Sequence, residues 1–248
     1  MSSLSGKTAL VTGASRGIGR ATALALAARG AQVLIHYSSS PKEADAVADE
    51  IRSSGVRSET VQADLALVDG PYKLAQQVRA IVGDRLDILV ANAGISLAAS
   101  VEDTRVEDFD RLFAVNVRAP FFLVQQLLPI LGKGSSVTLV SSLAARAVVG
   151  SIPAYSATKG AVDTLVKQFA AAFGDRGIRV NAVAPGIVAT DMSNFAKTDD
   201  GRAFAQSIQA LKRVAQADDI ADVIAFLASD DARWITGETV HADGGSKL

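Results

Sequence analysis

A doubly wound α/β domain with one parallel sheet is the fold this sequence predicts. Seven short runs rich in Val, Ile, Leu and Ala alternate with longer stretches of helical period. Several of the runs lack strict polar–apolar alternation, which suits strands covered on both faces. At 248 residues, with 49% hydrophobic and 21% charged, the chain has material for one large core and no compositional mark of disorder.

The elements follow in order. Thr8–Thr12 (TALVT) is the first strand, and a helical pattern over 17–29 follows it. Ala31–Tyr37 (AQVLIHY) precedes a helix over 42–54, and Ser58–Asp64 (SETVQAD) precedes one over 69–82. Leu86–Asn92 (LDILVAN) leads into a long helix over 105–131, and Ser136–Ser142 (SVTLVSS) into one over 154–174. Ile178–Pro185 (IRVNAVAP) is the sixth strand. The more polar stretch 187–215 after it reads as a small lid of short helices. A helix over 217–229 and the strand Glu238–Asp243 (ETVHAD) close the series. Repeated β-α-β units imply parallel pairing through right-handed crossovers. Residues 1–248 therefore read as a single domain with a seven-stranded sheet and helices on both faces.

Composition excludes several function classes. A net charge of −1 without a long basic run argues against nucleic acid as a partner. No run reads as a membrane span of roughly 20 apolar residues. The opening MSSLSGKTALVTG runs straight into a strand with no apolar signal region. The chain has no cysteine, which excludes disulfides, cysteine nucleophiles and thiolate metal sites. His36 and His241 are its only histidines, too few for a histidine-rich zinc site and a poor basis for a Ser-His-Asp triad. A cytoplasmic protein without a metal is the expectation.

In a doubly wound sheet, ligands sit beyond the carboxyl ends of the strands, near the point where strand order reverses. TGASRGIG, Thr12–Gly19, ends the first strand and opens a helix. Gly13, Gly17 and Gly19 allow a tight turn, close backbone approach and close helix packing. The helix start then offers free N–H groups and a positive dipole end to a phosphate. A plain structural turn is the bland alternative, but the strand before and the helix after supply the context of a Rossmann-type dinucleotide site. An acid ending the second strand would bind an adenosine ribose and repel a 2′-phosphate. Here that position carries HYSSS, His36–Ser40, with no acid. Arg16, with the hydroxyls of Tyr37, Ser38 and Ser39, makes a phosphate cradle instead. NADP(H) is the preferred cofactor and NAD(H) the alternative.

Further motifs stand along the chain in a fixed order. They are NAG at Asn92–Gly94, NV at Asn116–Val117, Ser142, the pair Tyr155 and Lys159 one helical turn apart, and PGIVAT at Pro185–Thr190. With the glycine-rich loop, this pattern resembles the short-chain dehydrogenase/reductases over essentially the whole chain. Within that family it looks most like the 3-oxoacyl-carrier-protein reductase type and related carbonyl reductases.

The resemblance implies roles residue by residue. Tyr155 would be the general acid in reduction and the base in oxidation. A lysine ammonium close by favours the tyrosinate and lowers a pKa that is ordinarily near 10. Lys159 would also bind the nicotinamide ribose. Ser142 would hold the substrate oxygen, and Ser141 competes for that role. Ser142 stands at the spacing before Tyr155 that is usual in the family. Asn116 would hold a water that relays protons to Lys159; a polar residue satisfying backbone groups is the alternative. Ser15 and Ile18 join the phosphate loop. Asp64 and Leu65 would receive the adenine, with a turn acid as the alternative for Asp64. Asn92, Ala93 and Gly94 would line the ribose. Pro185, Gly186, Ile187 and Val188 would wall the nicotinamide pocket, and Thr190 would bind its carboxamide.

The substrate side is less legible. Small apolar residues dominate the expected walls, which suits a ketone, a 3-oxoacyl thioester or a hydrophobic alcohol. Arg146 is the one strongly polar side chain expected near Ser142, unless it faces water. Arg105, Arg111 and Arg118 along one helix read equally as a solvated face, so nothing supports a carrier-protein partner. The apolar helices containing FFLVQQLLPIL and FAAAFG, together with the resemblance, imply a homotetramer, with a dimer as the alternative. A non-catalytic dinucleotide sensor and an epimerase or lyase on the same fold are the competing functions.

Overall fold

The computed structural model describes residues 3–248. The strands are β1 (Thr8–Val11), β2 (Gln32–Tyr37), β3 (Ser58–Gln62), β4 (Ile88–Ala91), β5 (Ser136–Val140), β6 (Arg179–Pro185) and β7 (Thr239–Ala242). They form one sheet in the order β3-β2-β1-β4-β5-β6-β7. Every neighbouring pair is parallel, so all the carboxyl ends lie along one edge. The order reverses between β1 and β4, which pair Val11 with Val90. Several strands stop short of the apolar runs that predict them. Thr12, Asn92 and Ser142 lie just past their strands, with side chains bonded to neighbouring main chain.

The helices are α1 (Gly17–Ala27), α2 (Pro41–Ser53), α3 (Gly70–Val82), α4 (Val106–Phe113), α5 (Ala119–Leu127), α6 (Pro153–Phe173), α7 (Asp199–Ile208) and α8 (Ala217–Ala228). Strand periodicity divides the core into two layers. Leu10, Leu34 and Leu89 face one layer, packed with Leu74 of α3, Leu123 of α5 and Val166 of α6. Their neighbours Val11, Ile35 and Val90 face the other, packed with Leu26 of α1, Val47 of α2 and Ile224 of α8. Each such fully buried side chain contributes roughly 1.5–3 kcal/mol relative to exposure. Both faces being covered is why the runs lack alternation.

The single helix expected over 105–131 is interrupted. A π-helical segment, Ala114–Arg118, separates α4 from α5, and a 3-10 turn, Leu128–Ile130, ends the stretch. Pro120 explains the widened turn: it has no N–H to give the carbonyl of Asn116. The same stretch corrects the reading that no segment reaches a membrane span. Val106–Ile130 has the length and hydropathy of one, but α5 packs on α3 and the π-segment on α6 inside the fold.

The stretch after β6 does form short helices. A 3-10 segment, Asp191–Lys197, precedes α7, and the Thr198 hydroxyl caps α7 by accepting from the Gly201 N–H at 3.1 Å. The Phe195 and Phe204 rings lie 6.2 Å apart across the two pieces. This segment stands over the carboxyl edge of the sheet, where the predicted site residues gather.

Candidate active site

The end of β1 is tied to the end of β4. The Thr12 hydroxyl accepts from the Asn92 N–H at 3.0 Å and the Ala93 N–H at 2.9 Å. The Asn92 side-chain amide donates back to the Thr12 carbonyl at 2.8 Å and the Gly13 carbonyl at 3.2 Å. Asn92 thus braces the glycine-rich loop with its side chain. Gly13 has φ of +63°, a region that favours glycine. Gly19 is required by proximity: a Cβ there would lie 2.3 Å from the Gly13 carbonyl oxygen.

His36 completes the knot. Its Nδ1 accepts from the Gly13 N–H at 3.0 Å. Its Nε2 lies 3.1 Å from the Ala63 carbonyl, which can only accept, so the ring proton sits on Nε2. Burial lowers the imidazole pKa from 6.5 to about 4, against weaker opposing contributions from Ala63 and Asp64. The sequence places His36 at the end of the second strand, in HYSSS, but gives no sign that its ring braces the loop.

A cleft of about 700 Å³ opens beside this knot. Gly13, Ser15, Arg16, Gly17, Ile18 and Gly19 line it from the first loop, and Tyr37, Ser38 and Ser39 from the end of β2. Asp64 and Leu65, then Asn92, Ala93 and Gly94, then Thr190, continue the lining. Val115 also lines the cleft and was missed, since nothing in a helical pattern marks which residues face a ligand; Arg111, weighed as a solvated-face residue, and Met192, in the expected lid, line it too. The volume falls in the range of small-molecule sites. No side chain caps the start of α1, leaving its N–H groups and dipole for an anion. Arg16 and the hydroxyl-bearing Tyr37, Ser38 and Ser39 line the same cleft, and residues 36–40 include no carboxylate. These features fit a dinucleotide with a phosphorylated adenosine ribose. Asp64 also serves as the turn acid, its Oδ1 accepting from the Ala66 N–H at 2.9 Å. Gln62 steadies Ser38 by donating to its carbonyl at 2.9 Å.

Beyond the inner end of the cleft stand the candidate catalytic groups. A Cβ on Gly94 would lie 3.3 Å from Asn116 Oδ1 and 3.7 Å from Lys159 Nζ, so the cleft wall touches them directly. Ser142 caps the 3-10 turn Leu143–Ala145 and interacts through its hydroxyl with the Tyr155 phenol. Ser141 is buried and its hydroxyl points to the Lys159 carbonyl at 3.4 Å. Of the two serines, Ser142 is the one beside the tyrosine. Lys159 Nζ lies 5.5 Å from the Tyr155 ring centre and donates to the Val140 carbonyl at 2.7 Å.

Burial of the catalytic pair corrects one expectation. The chain alone does not lower the Tyr155 pKa. Burial pushes the phenol above 10, and the Ser142 bond opposes this only in part. Lys159 is drawn from water with it: burial lowers its amine from 10.5 to about 8, with Asp163 pulling the other way. Asn116 is committed as a clamp. Its Oδ1 accepts from the Ile95 N–H at 2.9 Å, and its Nδ2 donates to the Ile95 carbonyl at 2.9 Å and to Thr158 Oγ1 at 3.1 Å. That is the alternative weighed for it; both amide hydrogens are spent, while Oδ1 keeps one lone pair open to a water. The Val188 side chain is buried in the core, leaving only its main chain to face a cofactor. Pro185 ends β6, and Gly186 packs against Asp243.

The His36 contacts set a pH dependence. Between pH 6.5 and about 4 the unfolded chain binds a proton that folded His36 refuses. The stability it contributes is complete above pH 6.5 and is lost as pH falls, on the order of 3 kcal/mol by pH 4. Urea unfolding of wild type and His36→Gln at pH 7 and pH 4.5 checks this: the gap between the two proteins should shrink with acid.

Comparison with known proteins adds an independent line. The family model for enoyl-(acyl carrier protein) reductase matches residues 13–247. Versicolorin reductase stcU of Emericella nidulans is 41% identical, covering 98% of this chain and 96% of that protein. Trihydroxynaphthalene reductase of Colletotrichum orbiculare is 39% identical, over 98% of this chain and 90% of its own. Among solved structures, the angucycline C-6 ketoreductase LanV with bound NADP has 40% identity and a TM-score of 0.94, covering 100% of this chain and 98% of its own. These relatives are aromatic-polyketide and naphthalene ketoreductases, so the narrower likeness to 3-oxoacyl-carrier-protein reductases is not carried by them. The glycine-rich loop, the Ser142, Tyr155 and Lys159 group and the matched length agree: the chain belongs to the short-chain dehydrogenase/reductase family.

Proposed function

We propose that this chain reduces a ketone on a polycyclic aromatic or hydroaromatic substrate to a secondary alcohol, using NADPH. One observation carries the reading: Ser142, Tyr155 and Lys159 converge at the inner end of a dinucleotide-sized cleft. The chain is an NADP(H)-dependent oxidoreductase acting on C=O and CH–OH groups. The aromatic class is supported by the activities its relatives are named for. It is also supported by an apolar rim. Leu97, Val148, Met192, Phe195, Phe204 and Leu211 are all exposed on the loops and short helices around the site. Flat apolar rings would cover them, and the 187–215 segment would act as the lid.

When bound, NADPH supplies a hydride to the carbonyl carbon. The protein's part is the proton. The Ser142 hydroxyl donates to the carbonyl oxygen and holds it beside Tyr155. The phenol gives its proton to that oxygen as negative charge develops. Burial keeps the phenol protonated until then, and the Lys159 ammonium stabilises the phenolate that remains. The product takes up one hydride at carbon and one proton at oxygen.

The same reading makes the enzyme a cytoplasmic homotetramer. The aromatic ladder Phe121–Phe169–Phe173 on α5 and α6 and the fully exposed Trp234 beside β7 support further association. Light scattering of the purified protein should give a mass four times that of the chain, and a monomer would refute it.

Tyr155→Phe should lower kcat by about 10²–10⁴-fold while leaving NADPH affinity within about twofold. The measurement is NADPH consumption with hydronaphthalenones, polycyclic ketones and 3-oxoacyl thioesters; near-native rates in the variant would place the acid elsewhere. Arg16→Ala should weaken NADPH binding at least about tenfold more than NADH binding. Equal losses, read by titration calorimetry, would remove the phosphate cradle.

A further inference from the structure

Arg146 and Asp243 form a pair that the proton chemistry does not use. Arg146 ends the 3-10 turn that Ser142 begins. Its Nη2 donates to Asp243 Oδ2 at 2.8 Å and to the Ser246 carbonyl at 2.7 Å. The Asp243 side chain is 4% exposed and that of Arg146 32%. Asp243 Oδ1 accepts from the Gly245 N–H at 3.0 Å and the Ser246 N–H at 3.3 Å. Burial alone would raise this carboxyl. The Arg146 bond and the two N–H groups outweigh it and hold the pKa below the usual range.

The tail fixed in this way is half of a second joint. The Gly245 carbonyl accepts from the Ala210 N–H at 3.1 Å, and the Gly244 carbonyl from the Leu211 N–H at 2.9 Å. The Lys247 N–H donates to the Ile208 carbonyl at 2.8 Å. These partners leave the end of α7, at the base of the candidate lid. On another side of Asp243, a Cβ on Gly186 would lie 3.1 Å from the Asp243 Cα. The carboxylate thus joins the Ser142 turn to the C-terminal tail, the tail backbone holds the lid base, and the turn after β6 packs on the Asp243 backbone.

We propose that Arg146 and Asp243 are a positioning pair that sets the lid base relative to Ser142 and thereby the fit of the ketone. This rests on the carbonyl-reductase reading of the same site. The pair also commits the one guanidinium near Ser142 to the tail. The substrate side is left without that cation, which suits a neutral ketone better than a carboxylate or phosphate. Removing the cation leaves a buried carboxylate uncompensated, and the tail is the part free to move.

The test uses full-length protein. Arg146→Gln and Asp243→Asn each remove the ion pair, and the asparagine keeps an oxygen for the tail turn. The ketone KM should rise about tenfold, with kcat within about threefold and NADPH affinity within about twofold. Arg146→Lys should restore most of the KM. Hydrogen–deuterium exchange should quicken at 208–211 and 143–147 in both charge-removing variants and leave β1 and β4 unchanged. An unchanged KM with unchanged exchange at 208–211 overturns the proposal. So does an NADPH affinity that weakens in step with KM, which would mark general loosening. Wild-type turnover on the ketone panel tests the reductase reading separately, and exchange reads the joint whether or not a ketone is found.

Discussion

The knot at the reversal of strand order is the constraint on which the site depends. Thr12, Asn92 and His36 spend their polar groups on the backbone of the loop after β1 and on the ends of β3 and β4. A glycine-rich loop left alone would sample many conformations, and ordering it would be charged against cofactor binding. Here the ordering is done on folding. The cleft walls are consequently present before any ligand arrives, and the parallel register sets their spacing because all carboxyl ends share one edge.

Burial acts on the catalytic pair in a way that simple pairing would not suggest. A phenol and an amine taken out of water together each shift toward the neutral form. The amine keeps a carbonyl, that of Val140, as its acceptor. The result is a tyrosine that stays protonated and a lysine whose charge is less firmly held than in water. Such a pair suits proton delivery in the reductive direction, where a protonated phenol is the reactant.

The substrate side follows another logic. Its walls come from segments distant in sequence, held by main-chain bonds and ion pairs such as Arg146–Asp243 rather than by the sheet. Loops of this kind can change shape without disturbing the core. That separation accounts for a cofactor cleft with a recognisable pattern and a substrate rim with none. The exposed apolar side chains on the rim say what chemistry would cover them, and the relatives named for reducing aromatic polyketides are consistent with it.

The sequence by itself determined the seven strands, their parallel pairing, the glycine-rich loop and the Tyr155 and Lys159 pair. Each is a local pattern, set by apolar runs, helical spacing or the need for glycine. It also named a majority of the residues that line the cleft, since strand ends fall where runs end. Only the tertiary structure decided that Asn116 clamps Ile95, that Asn92 braces the loop, that Val188 belongs to the core and that Arg146 reaches Asp243. The break of the long helix at Ala114–Arg118 lies between these cases: Pro120 was visible, but the widened turn was not. Side-chain partners across the fold depend on which segments the sheet brings together, and on how much water burial removes. Neither quantity is written in the spacing of residues along one chain.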